Sequence, residues 1–266
     1  MQRLLSSLSL LFLLSACGEK ELNITQVCQE KPGLCTDLVE DGHCRVERSE
    51  TILARFGEQK LPSDANKYRL LLDFEKYSKC MELAKGIEHI KLKEKTTARV
   101  NSYMVSLNEI KRLTDETVTS DYPGLLYYHW SRHQSRPHLE KFEQAAQAGQ
   151  LNTPDLKFAL ARYYIERDKS LAITTMLDAL KLYKAGDVVD TDIYTSLTTL
   201  YFKQNKLPES YHWALVAQEA GVERIEFDMI LKSAKDNALD KDKIETLADE
   251  TVAGLEVGQF QPPVFQ

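Results

Sequence analysis

The hydrophobic positions between residues 122 and 221 repeat with the length of one helical hairpin. Five positions recur 34 residues later, and the same five recur again after a further 38 residues. The three sets are Tyr122, Leu125, His129, Phe142 and Ala145; Leu156, Ala159, Tyr163, Met176 and Ala179; and Tyr194, Leu197, Tyr201, Ala214 and Ala217. Each copy ends in a glycine (Gly149, Gly186 or Gly221), where a helix can close through a left-handed residue. Because one hairpin of this length cannot bury its apolar face alone, the pattern predicts stacked copies.

This pattern resembles the tetratricopeptide family and the related Sel1-like repeats. Ala145, Ala179 and Ala217 match a small-residue position of the second helix, whereas the signature tryptophan is absent. The resemblance implies an all-α solenoid of antiparallel hairpins over residues 121–257, with the first helices on an inner, concave face. The groove positions that it implies are Tyr127, Trp130, Tyr164, Thr195, Thr199, Phe202 and Lys203.

Three of these groove positions are aromatic and equivalent. Trp130, Tyr164 and Phe202 occupy the same place in successive copies and predict a ladder of rings. Such rings could hold a peptide, since aromatic anchors concentrate binding energy. They could also stack on the sugar rings of peptidoglycan, or pack against the next hairpin or the amino-terminal helices.

Two longer helices are predicted in residues 63–120, before the repeats. Ser63 can cap a helix that runs to about Lys85. In the second helix an apolar stripe recurs at steps of three and four residues, which predicts packing against a neighbour. The stripe comprises Val100, Tyr103, Leu107, Ile110 and Leu113. The basic stretch Lys91, Lys93, Lys95 and Arg99 could meet anionic lipid or acidic glycan, or form a solvated helix face.

The chain after Gly221 predicts a fourth, capping hairpin and a tail. Its first helix would carry Phe227, Ile230, Leu231 and Ala234, and its second Ile244, Leu247, Ala248, Val252 and Leu255. Terminal repeats of solenoids commonly depart from the register of the others. Residues 258–266, with Pro262-Pro263, predict an extended tail.

Four cysteines fall in or near an irregular segment predicted over residues 28–62. They are Cys28, Cys35, Cys44 and Cys80, an even number that suggests two disulfides in an exported protein. Three pairings are open; the turn at Pro32-Gly33 favours Cys28–Cys35 and Cys44–Cys80. The alternative is a zinc site with His43, although the close Cys pairs of such sites are missing.

The first sixteen residues predict a secretory signal peptide. Arg3 precedes an apolar run that is too short to span a bilayer. The sequence Leu14-Ser15-Ala16-Cys17 resembles the lipobox of bacterial lipoproteins, which implies cleavage before Cys17 and lipid on its thiol and new amino terminus. A secreted protein with a chance cysteine is the alternative. Residues 17–27 then form the lipidated cysteine and a tether, and Gly18, rather than an inner-membrane retention aspartate, favours the outer membrane.

The net charge and the absence of known catalytic motifs argue against some classes of function. The net charge is −6, and residues 121–266 carry 16 Lys/Arg against 22 Asp/Glu, which argues against a nucleic-acid partner. The P-loop, G-x-S-x-G and G-x-G-x-x-G motifs are absent, so we expect no enzyme and no cofactor beyond the lipid. His129 and His133, with His138 nearby, lack the glutamate of zinc proteases and are interpreted as packing or solvated residues, not metal ligands.

The mature chain is also similar to a family of uncharacterised Gram-negative lipoproteins. The similarity lies in Cys28 to Arg45 and in Leu125-Leu126-Tyr127-Tyr128-His129-Trp130. It implies location and fold but no activity. We therefore expect an outer-membrane lipoprotein facing the periplasm, whose groove gathers periplasmic or outer-membrane proteins. The alternative is a lipoprotein that binds or processes peptidoglycan or another glycan.

Overall fold

The computed structural model describes residues 23–87, 92–222, 229–230, 232–233 and 239–265. In these ranges the chain contains eleven delimited α-helices and no β-strand, which confirms the predicted all-α class. The helices are α1 (Ile24–Glu30), α2 (Arg45–Lys60), α3 (Asp64–Ala84), α4 (Lys93–Thr117), α5 (Pro123–His133), α6 (Arg136–Gln147), α7 (Pro154–Tyr164), α8 (Lys169–Leu180), α9 (Asp192–Lys203), α10 (Leu207–Glu219) and α11 (Lys241–Glu256). The predicted leader and Cys17 lie outside the described residues.

The chain divides into two compact units, Met1–Thr117 and Val118–Gln266. In the first unit, two disulfides join Cys28 to Cys35 and Cys44 to Cys80. These are the two pairs that the sequence favours among the three possible pairings. The first closes a loop around a short 3-10 turn, and the second ties the amino-terminal end of α2 to α3.

Helix α2 occupies residues where the sequence predicted irregular chain. Its buried face, which includes Ile52 and Arg55, packs on α3. Gly57 lies in the last turns of this helix, where one glycine costs about 1 kcal/mol relative to alanine. Packing of an amphipathic face supplies most helical stability in proteins, so it outweighs that cost. The prediction of irregular chain over 28–62, which treats Gly57 as an interruption of the helical periodicity, therefore does not hold for residues 45–60.

The predicted tether is also partly helical. Asn23 and Gln26 cap α1 reciprocally, each side chain accepting a 3.0 Å hydrogen bond from the other residue's backbone N–H. The helix therefore begins at Ile24, within the range 17–27 that the sequence assigned to the lipidated cysteine and a tether.

Two arginines fasten residues 34–41 to the helices. Arg55 of α2 donates two hydrogen bonds to the carboxylate of Asp37, at 2.7 and 2.9 Å. Arg99 of α4 forms an ion pair with Asp41, and both side chains are almost fully buried. The cysteine-bearing segment is thus held by charge-assisted hydrogen bonds as well as by disulfides.

Helix α3 follows the prediction closely. The Ser63 hydroxyl accepts a 3.2 Å hydrogen bond from the backbone N–H of Asn66, which is the expected amino-terminal cap. The helix ends at Ala84, and its apolar face, including Phe74 and Met81, is fully buried.

Helix α4 buries a different face from the one that the sequence predicted. Of the predicted stripe, Leu113 is fully buried, whereas Val100 and Leu107 are 40% and 38% exposed. The buried face carries Arg99, Ser102, Ser106, Leu113 and Thr117. The predicted packing of the whole stripe was therefore wrong.

Hydrogen bonds to the cysteine-bearing segment explain this orientation of α4. The hydroxyl of Ser102 accepts a 2.7 Å bond from the backbone N–H of Val39 and donates a 3.1 Å bond to the carbonyl of Asp37. Buried polar groups are tolerated when they are paired in this way. The prediction for α4 considered only its apolar positions. It therefore could not identify a buried face whose partners are polar backbone groups.

The second unit contains the three predicted hairpins. Helix α5 packs on α6, α7 on α8, and α9 on α10. Prolines stand in the first turns of four of these helices, where their missing N–H has no cost. The glycines that end the copies, Gly149, Gly186 and Gly221, have φ of 70°, 83° and 79°, which confirms the left-handed closures.

The first helices of successive hairpins contact one another. The ring of Trp130 in α5 lies 5.2 Å from that of Tyr163 in α7. Arg162 of α7 donates a 3.0 Å hydrogen bond to Asp192 of α9. Consecutive hairpins therefore bring α5, α7 and α9 into neighbouring positions.

The carboxyl-terminal residues pack on α10. Ile230 is buried beside Tyr211 and Ile244, but Phe227, Leu231 and Ala234 of the predicted fourth hairpin lie outside the described residues. The predicted last helix is present as α11, which packs on α10. The tail that follows is non-helical, and the buried ring of Phe260 lies 6.2 Å from that of Trp213.

Candidate functional site

Four aromatic side chains form a continuous cluster on the first two hairpins, here called the aromatic patch. Its members are Tyr127 and Trp130 of α5 and Tyr163 and Tyr164 at the end of α7. All four side chains are partly buried and partly exposed to solvent. The spacing of three residues between Tyr127 and Trp130 puts both rings on one side of α5.

The rings of the aromatic patch meet edge to face or at a tilt. Trp130 lies 5.6 Å from Tyr127 and 5.2 Å from Tyr163, both in T-shaped geometry, and Tyr163 lies 5.3 Å from Tyr164. These separations fall in the favourable range for aromatic pairs. Tyr127 also lies 5.5 Å from the buried ring of Phe142, which anchors the patch to the core.

Polar neighbours fix the orientation of Tyr163. Its hydroxyl donates a hydrogen bond to the carboxylate of Glu143 in α6, and this bond, together with burial, raises the pKa of Tyr163. The guanidinium of Arg167 lies 3.9 Å from the centre of the ring, in a cation–π contact. The patch is therefore a preorganised surface, with aromatic faces and a cation at its edge.

The predicted groove residues of α9 lie in other surroundings. The hydroxyls of Thr195 and Thr199 donate to carbonyls of their own helix, at 3.2 and 2.9 Å. Phe202 packs with Tyr211 and Ile244 in a separate apolar cluster, and Lys203 is exposed. The structure thus brings Tyr127, Trp130 and Tyr164 together and places the four residues of α9 apart from them.

Tyr163 is the member of the patch that the sequence analysis did not assign to the groove. It aligns with His129 and Tyr201 of the other copies, and both of those are buried. The doublet Tyr163-Tyr164 was the available signal, because adjacent side chains point about 100° apart on a helix. Both rings pack against the core of the first two hairpins and remain partly exposed.

The three histidines near the patch are engaged in packing and hydrogen bonds. The buried ring of His129 stacks on that of His138 at 4.6 Å and lies 5.9 Å from that of His133. Nε2 of His138 donates to the carbonyl of Val118 at 2.8 Å, and the Ser135 hydroxyl donates to Nδ1 at 2.6 Å. In the part of the chain that the structure describes, no group of three or more His, Cys, Asp or Glu is arranged to hold a metal ion.

Burial shifts the pKa of two residues in the core of the second unit. Burial lowers the pKa of His212 to about 4 and raises the pKa of Tyr201 to about 12. His212 is fully buried, with its Nε2 3.2 Å from the hydroxyl of Thr251. These shifts report burial between packed helices.

The disulfides and the hydrophobicity of the helices relate to the part of the cell in which the protein resides. Two disulfides indicate an oxidising compartment outside the cytoplasm. Among the described helices, none combines the length and the apolar character that crossing a bilayer requires.

Comparison with known proteins places the chain in a family. No curated protein and no solved structure matches it. The family described as Protein of unknown function (DUF2989) matches residues 14–215, a range that includes all five cysteines and the aromatic patch. Because this match covers most of the sequence, the chain belongs to that family.

Proposed function

We propose that the protein is a lipid-anchored adaptor of the outer membrane that binds a protein partner in the periplasm. The aromatic patch is the observation that carries this proposal. Its four rings are partly exposed to solvent and lie on the first helices of two hairpins, and Glu143 and Arg167 fix the orientation of Tyr163. Rigid aromatic side chains with a neighbouring arginine are the residues that most often dominate the energy of protein interfaces.

The anchor rests on the lipobox-like sequence that ends in Cys17. The two disulfides support export, and the family match begins at residue 14, so it includes Cys17. Several acyl chains on one cysteine would hold the protein at the membrane durably, since each buried methylene contributes about 0.8 kcal/mol. The three hairpins support the tetratricopeptide-like character of the second unit.

Affinity isolation of the anchored protein from membranes tests the proposal. We expect Trp130→Ala to lose the co-isolated partner, whereas Phe202→Ala, on α9 and outside the patch, should retain it. Both variants should keep the helical circular dichroism signal and a similar melting temperature. Equal recovery of the partner with both variants would contradict the assignment of the patch.

Glycan binding is the alternative use of the same rings, since the partly exposed ring of Trp130 could stack on a sugar. Sedimentation with purified peptidoglycan separates the two functions. An adaptor should remain in the supernatant unless a partner protein is added. Sedimentation of the isolated protein, abolished by Trp130→Ala, would favour the glycan-binding function instead.

A further inference from the structure

Helix α4 carries an apolar stripe on the side that faces away from its packing neighbours. Val100, Met104 and Leu107 are 40%, 49% and 38% exposed and follow one another at steps of four and three residues. At 100° per residue, these three positions lie on the side of the helix opposite the buried face that carries Ser102 and Ser106. The stripe is therefore unpartnered within the part of the chain that the structure describes.

Lysines bound this stripe at both ends. Lys93 lies seven residues before Val100, and Lys111 lies four residues after Leu107, so both share its side of the helix. Both lysines are exposed, and the ion pair between Lys111 and Asp115 is itself in solvent, where such pairs contribute little. Lys93, Val100, Met104, Leu107 and Lys111 are here called the lysine-bounded stripe.

Exposed apolar residues also occur at the end of α3. Leu83 and Ile87 are 76% and 40% exposed. The Ile87 carbonyl accepts a 3.4 Å hydrogen bond from Arg99, and Lys85 lies 3.9 Å from the centre of the Tyr103 ring. These contacts place the exposed residues at the end of α3 beside the amino-terminal half of α4.

We propose that the lysine-bounded stripe rests on a phospholipid bilayer that carries anionic headgroups. This inference depends on the lipid anchor of the proposed function. An apolar strip with lysines at its borders is the pattern of helices that lie in a membrane interface. Lysines near an anionic leaflet are attracted to it, and the apolar side chains enter the boundary between headgroups and acyl chains.

Chain length supports a bilayer as the occupant. Asn23 lies six positions after Cys17, and six fully extended residues span only about 20 Å. Asn23 caps α1, and α1 is joined through the Cys28–Cys35 disulfide to the segment that Ser102 of α4 binds. A lipid on Cys17 therefore keeps the cysteine-bearing segment, and α4 with it, close to the membrane surface.

Vesicle flotation of the unlipidated mature chain tests this proposal separately from the anchor. The vesicles contain phosphatidylethanolamine with about a quarter phosphatidylglycerol, which supplies the anionic charge. We expect the wild-type chain to bind them, and the triple variant Val100→Ser/Met104→Gln/Leu107→Gln to bind at least about tenfold more weakly. The matched control Val46→Ser/Leu53→Gln, which alters two exposed apolar residues of α2, should bind like the wild type.

Charge and folding controls complete the test. The double variant Lys93→Gln/Lys111→Gln should bind the anionic vesicles more weakly than the wild type. This difference should become smaller at high salt, because salt screens the attraction between the lysines and the headgroups. All variants should retain the wild-type thermal unfolding profile. Equal binding of the triple variant and the wild type, or absence of wild-type binding, would overturn the proposal. Conversion of a dimer into a monomer by the triple variant, with vesicle binding unchanged, would overturn it in favour of a second copy.

The roles of the stripe and of the aromatic patch can be tested separately. The triple variant leaves Trp130 and the rest of the aromatic patch intact, so it should still co-isolate the protein partner in its anchored form. The Trp130→Ala variant should lose that partner but bind the vesicles like the wild type.

Discussion

Arg99 of α4 and Asp41 of the cysteine-bearing segment form an ion pair whose side chains are 3% and 9% exposed. Burial alone would raise the pKa of Asp41, but hydrogen bonds from Arg99 and from the backbone N–H of His43 hold it below its usual range. Arg99 also donates a 3.2 Å bond to the carbonyl of Ala84. The pair therefore joins the disulfide-bonded segment to the end of α3 and to α4.

Removing Arg99 should destabilise the protein strongly. Arg99→Met leaves the Asp41 carboxylate buried without its partner, and we expect the free energy of unfolding to fall by about 3 kcal/mol or more at neutral pH. Urea denaturation measures this loss of stability. Arg69→Met is the matched control, because Arg69 is 73% exposed and 3.9 Å from Asp73, and it should cost less than about 1 kcal/mol. Equal losses for the two variants would contradict the importance of the buried pair.

The two disulfides should contribute unequally to stability. They span 36 residues (Cys44–Cys80) and 7 residues (Cys28–Cys35), and the longer loop restricts the unfolded chain more. Replacing Cys44 and Cys80 by serine should cost about 4 kcal/mol, against about 2 kcal/mol for Cys28 and Cys35. Denaturant titration of the two double variants measures the difference. A larger loss from the shorter loop would show that strain or local packing, not loop length, controls their contribution.

Gly258 should tolerate alanine worse than Gly149 does. Both have positive φ, of 66° and 70°, so alanine at either position costs about 1–2 kcal/mol of backbone strain. A Cβ at Gly258 would also lie 2.5 Å from the backbone nitrogen of Ala185, whereas a Cβ at Gly149 meets nothing within 4 Å. Thermal unfolding should therefore show a clearly larger loss for Gly258→Ala. Similar losses would mean that the tail can move away from residues 184–185 at little cost.

His212 should make stability depend on pH. Its pKa is about 4 in the folded protein, because of burial, and about 6.5 in the unfolded chain. The unfolded state binds more protons between these values, so the free energy of unfolding should fall by up to about 3 kcal/mol as the pH drops from 6.5 to 4. Denaturation at several pH values measures this. His212→Gln should flatten the profile, and an unchanged slope would assign the effect to other groups.

The repeat pattern was sufficient to predict the hairpins of the second unit. The pattern recurs after 34 and 38 residues, and a glycine ends each copy; together these features located α5 to α10. They could do so because helix periodicity and left-handed closures are local properties of the sequence. The cap at Ser63 likewise predicted the start of α3.

Long-range polar contacts explain what the sequence could not predict. The buried face of α4 was missed because Ser102 and Arg99 bind a segment about 60 residues earlier, and an apolar count gives no weight to such partners. Three of the four members of the patch were predicted, but the ladder of rings was not found as predicted. Equivalent positions in the repeats suggested that Phe202 continues the ladder, but its ring packs with Tyr211 and Ile244.

Site-specific photocrosslinking in intact cells tests the central claim most directly. The anchored protein carries p-benzoylphenylalanine in place of Trp130, with Val188, which is 94% exposed, as the control position. The account predicts that position 130 traps a discrete protein partner, identified by mass spectrometry, and that position 188 does not. Equal trapping at both positions, or no trapped protein at position 130, would contradict an adaptor that binds through the aromatic patch.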